Sequence, residues 1–144
     1  MQGSPDRVRL YLDVDGVLLG KSDPKSSEIV LARHAEEFVE FALRTFECWW
    51  LTTHCRGEVR PVLEYLRPYC GGRLLQRLSE FRPTNWKTLK TEALLSPFFW
   101  LDDSPLAVEL DWLTSHNLLD RWILVDTRKR PDDLEVTRRF LEPR

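Results

Sequence analysis

The sequence predicts an α/β fold, a three-layer sandwich in which helices cover both faces of a mainly parallel, five-stranded sheet. Three observations carry this prediction. Short apolar runs alternate with amphipathic stretches along the chain. Acidic or hydroxyl residues follow the apolar runs, as at the carboxyl ends of parallel strands. With 144 residues, 42% of them hydrophobic and 31% charged, the chain can bury one substantial core but is too short for two ordinary domains.

Val8 to Val14 is apolar with a β-branched residue at each end and is closed by Asp15-Gly16, which predicts a buried first strand and a turn. Gly20 to Ser27 is a polar loop. Between Ala32 and Phe46 the residues Ala35, Phe38, Val39, Ala42, Leu43 and Phe46 recur at helical spacing. Glu47 to Leu51 predicts a second strand, with Thr52 to Gly57 as its exit loop. A helix from about Glu58 to Arg67 is halted by Pro68 and Gly71-Gly72, and Leu74-Leu75 seeds a short third strand. Trp86 to Leu95 predicts a helix, and Pro97 to Leu101 a fourth strand ending in Asp102-Asp103. A helix over Ala107 to Leu113, a fifth strand over Arg121 to Asp126 and a helix over Asp132 to Leu141 complete the set.

A formal net charge of -2 supplies no broad basic surface for duplex binding, although Arg128-Lys-Arg130 and Arg138-Arg139 are locally positive. Nucleic acid is thus an admissible partner without a specific signal. Cys48, Cys55 and Cys70 are odd in number and lack CxxC spacing, which points to reduced thiols. No run approaches a membrane span, and Met1 to Arg7 lacks the apolar centre of a secretion signal. A cytoplasmic protein is expected.

Asp13 and Asp15 are two apart on an extended segment, so both side chains project to one side. Such close carboxylates repel unless one is protonated or a cation lies between them. Mg²⁺ suits oxygen ligands and leaves room for water and phosphate, and Asp102-Asp103 at another strand end adds charge. Turn capping by the first pair and helix capping by the second, near Ser104-Pro105, are the structural alternatives. A calcium loop also begins Asp-x-Asp-Gly, but it needs further oxygen ligands where this chain has Val17, Leu18 and Leu19.

In order and context these residues resemble the haloacid dehalogenase (HAD) superfamily of phosphatases. An apolar strand leads into Asp13-Val-Asp-Gly-Val17, and Trp49-Trp-Leu-Thr52 places a threonine after a second strand. Lys87, with Lys90 in reserve, stands near a later helix, and Trp100-Leu-Asp-Asp103 closes another strand with an acidic pair. The motifs run from Leu10 to Asp103.

The resemblance implies a Rossmann-like sheet and a Mg²⁺-dependent phosphohydrolase with an aspartyl-phosphate intermediate. It implies Asp13 as nucleophile and Asp15 as acid and base. Mg²⁺ would be held by Asp13, the Asp15 carbonyl and Asp103, with Asp102 orienting a bound water or the lysine. Thr52, in preference to Thr53, and Lys87 would bind phosphoryl oxygens, and His54, next to the site, is a candidate for substrate contact.

Neither Leu18 to Leu31 nor Thr53 to Trp86 has room for the cap domain of many family members. An open site fits a phosphorylated macromolecule, either a nucleic-acid end or a phosphoprotein, or a small substrate closed off by a partner subunit. Parts of the motifs are similar to RNA polymerase C-terminal-domain phosphatases. The short loop after Leu19 is at least as similar to capless bacterial proteins linked to RNA repair. The competing expectation is a noncatalytic module that uses the same fold as a binding or scaffolding surface.

Overall fold

In the computed structural model, which describes residues 7–143, the first apolar run forms strand β1, Arg9–Leu12. In chain order follow β2 (Leu19–Gly20), β3 (Val30–Leu31), α1 (Ala35–Thr45), β4 (Glu47–Trp50), α2 (Arg60–Leu66) and α3 (Gly72–Leu78). Then come β5 (Phe98–Asp102), α4 (Ala107–Ser115), β6 (Trp122–Leu124) and α5 (Asp133–Leu141). Met1 to Asp6, most of the segment judged for a secretion signal, lie outside the described residues.

Four strands form one parallel sheet in the order β4-β1-β5-β6, while β2 and β3 pair antiparallel in a separate two-stranded unit. Side chains of β1 alternate between two cores, which is why Leu10, Tyr11 and Leu12, following Arg9, are all buried. Leu10 and Leu12 join Phe38 and Val39 of α1, Leu74 and Leu78 of α3, and Leu134 of α5. Tyr11 turns to the opposite face with Phe98, Trp100 and Leu113 of α4. Helices therefore cover both faces, as the alternating pattern predicts.

Among the described residues the sheet has four strands rather than the expected five. Leu74 and Leu75 lie inside α3, where Leu74 and Leu78, one helical turn apart, are buried against α1. What lies beside β4 is a single parallel bridge between Trp49 and Arg82. The Trp50 amide donates to Arg82 O at 2.9 Å, and the Arg82 amide donates to Cys48 O at 2.9 Å. The ladder stops there because the Thr84 hydroxyl donates to Trp50 O at 2.6 Å, taking the acceptor that the next rung needs.

The helix expected over Trp86 to Leu95 contracts to a 3-10 turn at Lys90–Ala93. Glu92 causes this, since its carboxylate accepts the amides of Lys87, Thr88 and Leu89 at 2.9, 3.1 and 2.8 Å and starts the turn at Lys90. Cys48, Cys55 and Cys70 are all free thiols. Among the described residues no helix is long and apolar enough to cross a membrane.

Candidate functional site

Strand register builds the site. Leu12 stands opposite Trp50 on one side and Leu101 on the other. The residue that follows β1 is Asp13 and the last of β5 is Asp102, so the two carboxylates emerge side by side at the carboxyl edge of the sheet. Backbone bonds hold this edge: the Asp13 amide donates to Leu101 O at 3.1 Å and the Leu51 amide to Leu12 O at 2.8 Å.

After Asp13 the chain folds into a tight turn in which Val14 O accepts the amides of Val17, Leu18 and Leu19. Gly16 has φ 80°, in the left-handed region. A Cβ on it would lie 2.2 Å from Asp103 Oδ2, so glycine alone lets Asp103 come up against the turn.

Carboxylate oxygens of Asp13, Asp102 and Asp103 lie within 4.8 Å of one another. The Lys90 ammonium stands 2.7 Å from Asp102 Oδ2 and 3.3 Å from Asp13 Oδ2. Asp102 is 1% exposed, and its other oxygen accepts the Ser104 amide at 2.9 Å. Its work is therefore to hold Lys90. Buried Glu109 on α4 fixes the same lysine from behind, accepting the Lys90 amide at 2.7 Å and the Leu106 amide at 2.9 Å.

Burial and the neighbouring Asp102 push the Asp13 carboxyl up to about 7, against the opposing pull of Lys90, the Val14 amide and Thr52. Burial depresses Lys90, but Asp13 and Asp102 outweigh it and leave the ammonium above its ordinary value. Burial also raises Asp103. Three carboxylates thus share few compensating charges, and this set of hard oxygen donors could hold a divalent cation such as Mg²⁺.

The Asp15 side chain is not part of that group. Tyr65 on α2 donates to Asp15 Oδ1 at 2.7 Å, His54 Nε2 lies 3.0 Å from Oδ2, and the two rings stack with centroids 3.7 Å apart. Partial burial pushes Asp15 up, but the bonds from Tyr65 and His54 outweigh it and hold it below the ordinary carboxylate value. Asp13, Asp15, Thr53, Trp86, Lys90 and Leu106 line a cavity of about 380 Å³.

The structure brings Asp13, Asp15, Asp102 and Asp103 to one crevice and places Lys87 and Thr52 outside it. Lys87, preferred on sequence, lies away from the carboxylates beside Arg56, Asn85, Trp86 and Glu92, and Lys90 takes the central place. The Glu92 cap is the reason, because the helical turn begins at Lys90 and not at Lys87. Thr52 is fully buried beneath Asp13 and accepts the His54 amide at 3.3 Å, whereas exposed Thr53 faces the cavity. His54 meets Asp15 itself.

Tyr65 and Glu109 escape sequence reasoning. Glu109 carries one weak signal, an acidic residue in the first turn of a helix, which ordinarily serves only the helix. Tyr65 carries none. Comparison with protein-family models, curated proteins and solved structures finds no match to this chain.

Proposed function

We propose that this chain is a capless, HAD-like, Mg²⁺-dependent phosphohydrolase that works through an aspartyl phosphate on Asp13. One observation carries the reading: Asp13, Asp102 and Asp103 converge at the ends of neighbouring parallel strands, with the Lys90 ammonium between Asp13 and Asp102.

Asp13, Asp103 and the Asp15 backbone carbonyl are the groups proposed to hold Mg²⁺, whose charge, when bound, offsets that of the carboxylates and the phosphoryl group. Lys90 binds a phosphoryl oxygen while Asp102 and Glu109 keep it in place. The Thr52-Thr53 loop closes the phosphate side. The Asp13 carboxylate attacks phosphorus; the negative charge of the bound phosphoryl group raises Asp15 from its depressed resting value, and the bond to the leaving oxygen breaks as Asp15 delivers a proton to it. Water then attacks the same phosphorus, Asp15 takes its proton, and the Asp13–phosphorus bond breaks to release inorganic phosphate. His54 and Tyr65 orient Asp15 through both steps. The substrate is a phosphomonoester, on a macromolecule or a small molecule.

The test is turnover of p-nitrophenyl phosphate with Mg²⁺ and with EDTA, in wild type and Asp13→Asn. Metal-dependent turnover abolished by the substitution is the expected result. Turnover that persists in Asp13→Asn overturns the assignment, and no turnover under Mg²⁺ or Mn²⁺ leaves a binding module on this fold.

A further inference from the structure

A second cavity, of about 580 Å³, adjoins the first. Ser104 lines both, and the acidic pair divides between them, with Asp102 at the first and Asp103 at the second. The other walls are Lys21, Pro24, Arg128, Lys129 and Asp126.

This basic pocket is built by the fold and is not a scatter of surface lysines. Thr127, fully buried, sets its hydroxyl 3.0 Å from Val17 O and 3.3 Å from Leu19 O. The Thr127 amide donates to Gly16 O at 2.8 Å, and the Lys21 amide donates to Thr127 O at 3.2 Å. A Cβ on Gly20 would lie 2.3 Å from the Thr127 hydroxyl, so the two segments meet at van der Waals limits. Lys21 and Arg128 are thereby pinned together although far apart in the chain. Asp126 Oδ1 accepts the amides of Arg128 and Lys129, both at 3.1 Å, and fixes the turn that presents them.

Charge in the pocket is incompletely balanced. Lys21 and Lys129 form no ion pair among the described residues, and Arg128 stands 3.5 Å from Asp103 Oδ2 with its side chain 41% exposed. Arg130, next in the run, is drawn away to Asp133 at 3.1 Å. Three cations against Asp103 and Asp126 leave net positive charge beside the place where a phosphoryl group would sit over Asp13.

We infer that Lys21, Arg128 and Lys129 form a second phosphate subsite, and that the substrate carries another phosphate near the one removed. The inference rests on the phosphohydrolase reading and narrows its substrate class. Two sources share this chemistry: a small bisphosphorylated molecule, and the end of a polynucleotide whose adjoining phosphodiester supplies the second charge. Arg128 also meets Asp103 of the acidic group, while Lys21 and Lys129 form no ion pair among the described residues.

The test compares kcat/KM for a nucleoside 3′,5′-bisphosphate, a 3′-phosphorylated oligothymidylate and p-nitrophenyl phosphate, in wild type and in Lys21→Ala/Lys129→Ala. Lys21→Gln/Lys129→Gln and thermal melts control for folding. The selectivity ratio of either two-phosphate substrate to the aryl phosphate is expected to fall about tenfold in the double variants, the loss of two exposed charge contacts. An unchanged ratio overturns the subsite and leaves the phosphohydrolase reading standing. A KM that falls with oligonucleotide length supports the polymer source, and one independent of length supports the small bisphosphate.

Calorimetric binding to Asp13→Asn, with and without the lysine changes, separates the two claims. If the wild type turns over no substrate but nucleoside 3′,5′-bisphosphate binds more tightly than the 3′-monophosphate through Lys21 and Lys129, the subsite stands and the phosphohydrolase reading falls. No preference for the second phosphate in either measurement overturns the subsite.

Discussion

Lys90 and Asp102 form the best-buried ion pair of the site, 2.7 Å apart with side chains 13% and 2% exposed. Each is held by a further bond, Asp102 by the Ser104 amide and the Lys90 backbone by Glu109. A buried pair so tethered does more for geometry than for net stability, since desolvation offsets much of the attraction. Its value is that the ammonium is fixed before any phosphate arrives.

Lys90→Ala should therefore lower kcat toward p-nitrophenyl phosphate by about 10²- to 10³-fold, the usual loss when one preorganised charge is removed from a transition state. It should also destabilise the fold by about 3 kcal/mol, because Asp102 is left buried and unpaired. Lys87→Ala should stay within about twofold of wild type, as expected of a surface change away from the site. Steady-state kinetics and thermal melts check both. The reverse order of effects restores Lys87 as the phosphate ligand.

Gly16→Ala places a methyl group where Asp103 Oδ2 now lies and demands a left-handed backbone of a residue that resists it. We expect a loss of at least about 1 kcal/mol in stability from the backbone alone. Displacement of Asp103 should also shift the Mg²⁺ dependence of activity to higher concentration. Without substrate, saturating Mg²⁺ at about 100 times its Kd should stabilise the wild type by about 2.7 kcal/mol, and Asp103→Asn should lose most of that gain. An unchanged metal dependence in both variants removes Asp103 from the metal site.

Tyr65→Phe deletes the donor to Asp15 Oδ1, and His54→Asn removes the stacked ring that meets Oδ2. Both should reduce kcat about tenfold for an alkyl phosphate, a modest part of what general acid catalysis contributes. The loss should be smaller for p-nitrophenyl phosphate, whose leaving oxygen needs little protonation. Equal losses on the two substrates would show that the pair supports the fold and not the proton transfer.

Glu92 is held below its ordinary pKa by the amides of Leu89 and Lys87, with a smaller part from Thr88. A carboxyl whose folded pKa is depressed contributes stability that is complete above its unfolded value and is lost as pH falls through the folded value. Hydrogen-exchange protection of the Lys87, Thr88 and Leu89 amides should be full at neutral pH and decline below the ordinary value of 4.5. In Glu92→Gln that pH dependence should disappear, and activity should fall because Lys90 begins the same turn. Protection that stays constant down to pH 3 in the wild type contradicts this role for Glu92.

How far the site is legible in the sequence varies residue by residue. Asp13 and Asp102 follow from strand logic alone, because an apolar run that ends in a carboxylate has few other places to put it. Lys90 does not, since choosing it over Lys87 requires knowing that Glu92 folds back on three amides and moves the start of the helical turn. The supposed strand at Leu74-Leu75 fails for a related reason. A short apolar pair fits either period, and packing against α1 decides in favour of the helix.

By itself the sequence determined the alternating α/β order, the apolar run Leu10 to Leu12 of the first strand and the acidic strand ends, because burial on both sheet faces and strand termination are local properties of composition. Only tertiary structure decided which lysine enters the crevice, that Tyr65 and His54 clamp Asp15, and that Gly20 and Thr127 bring Lys21 beside Arg128. These relationships join residues tens of positions apart, and no local period encodes them. They arise when strands align in register and loops pack to contact.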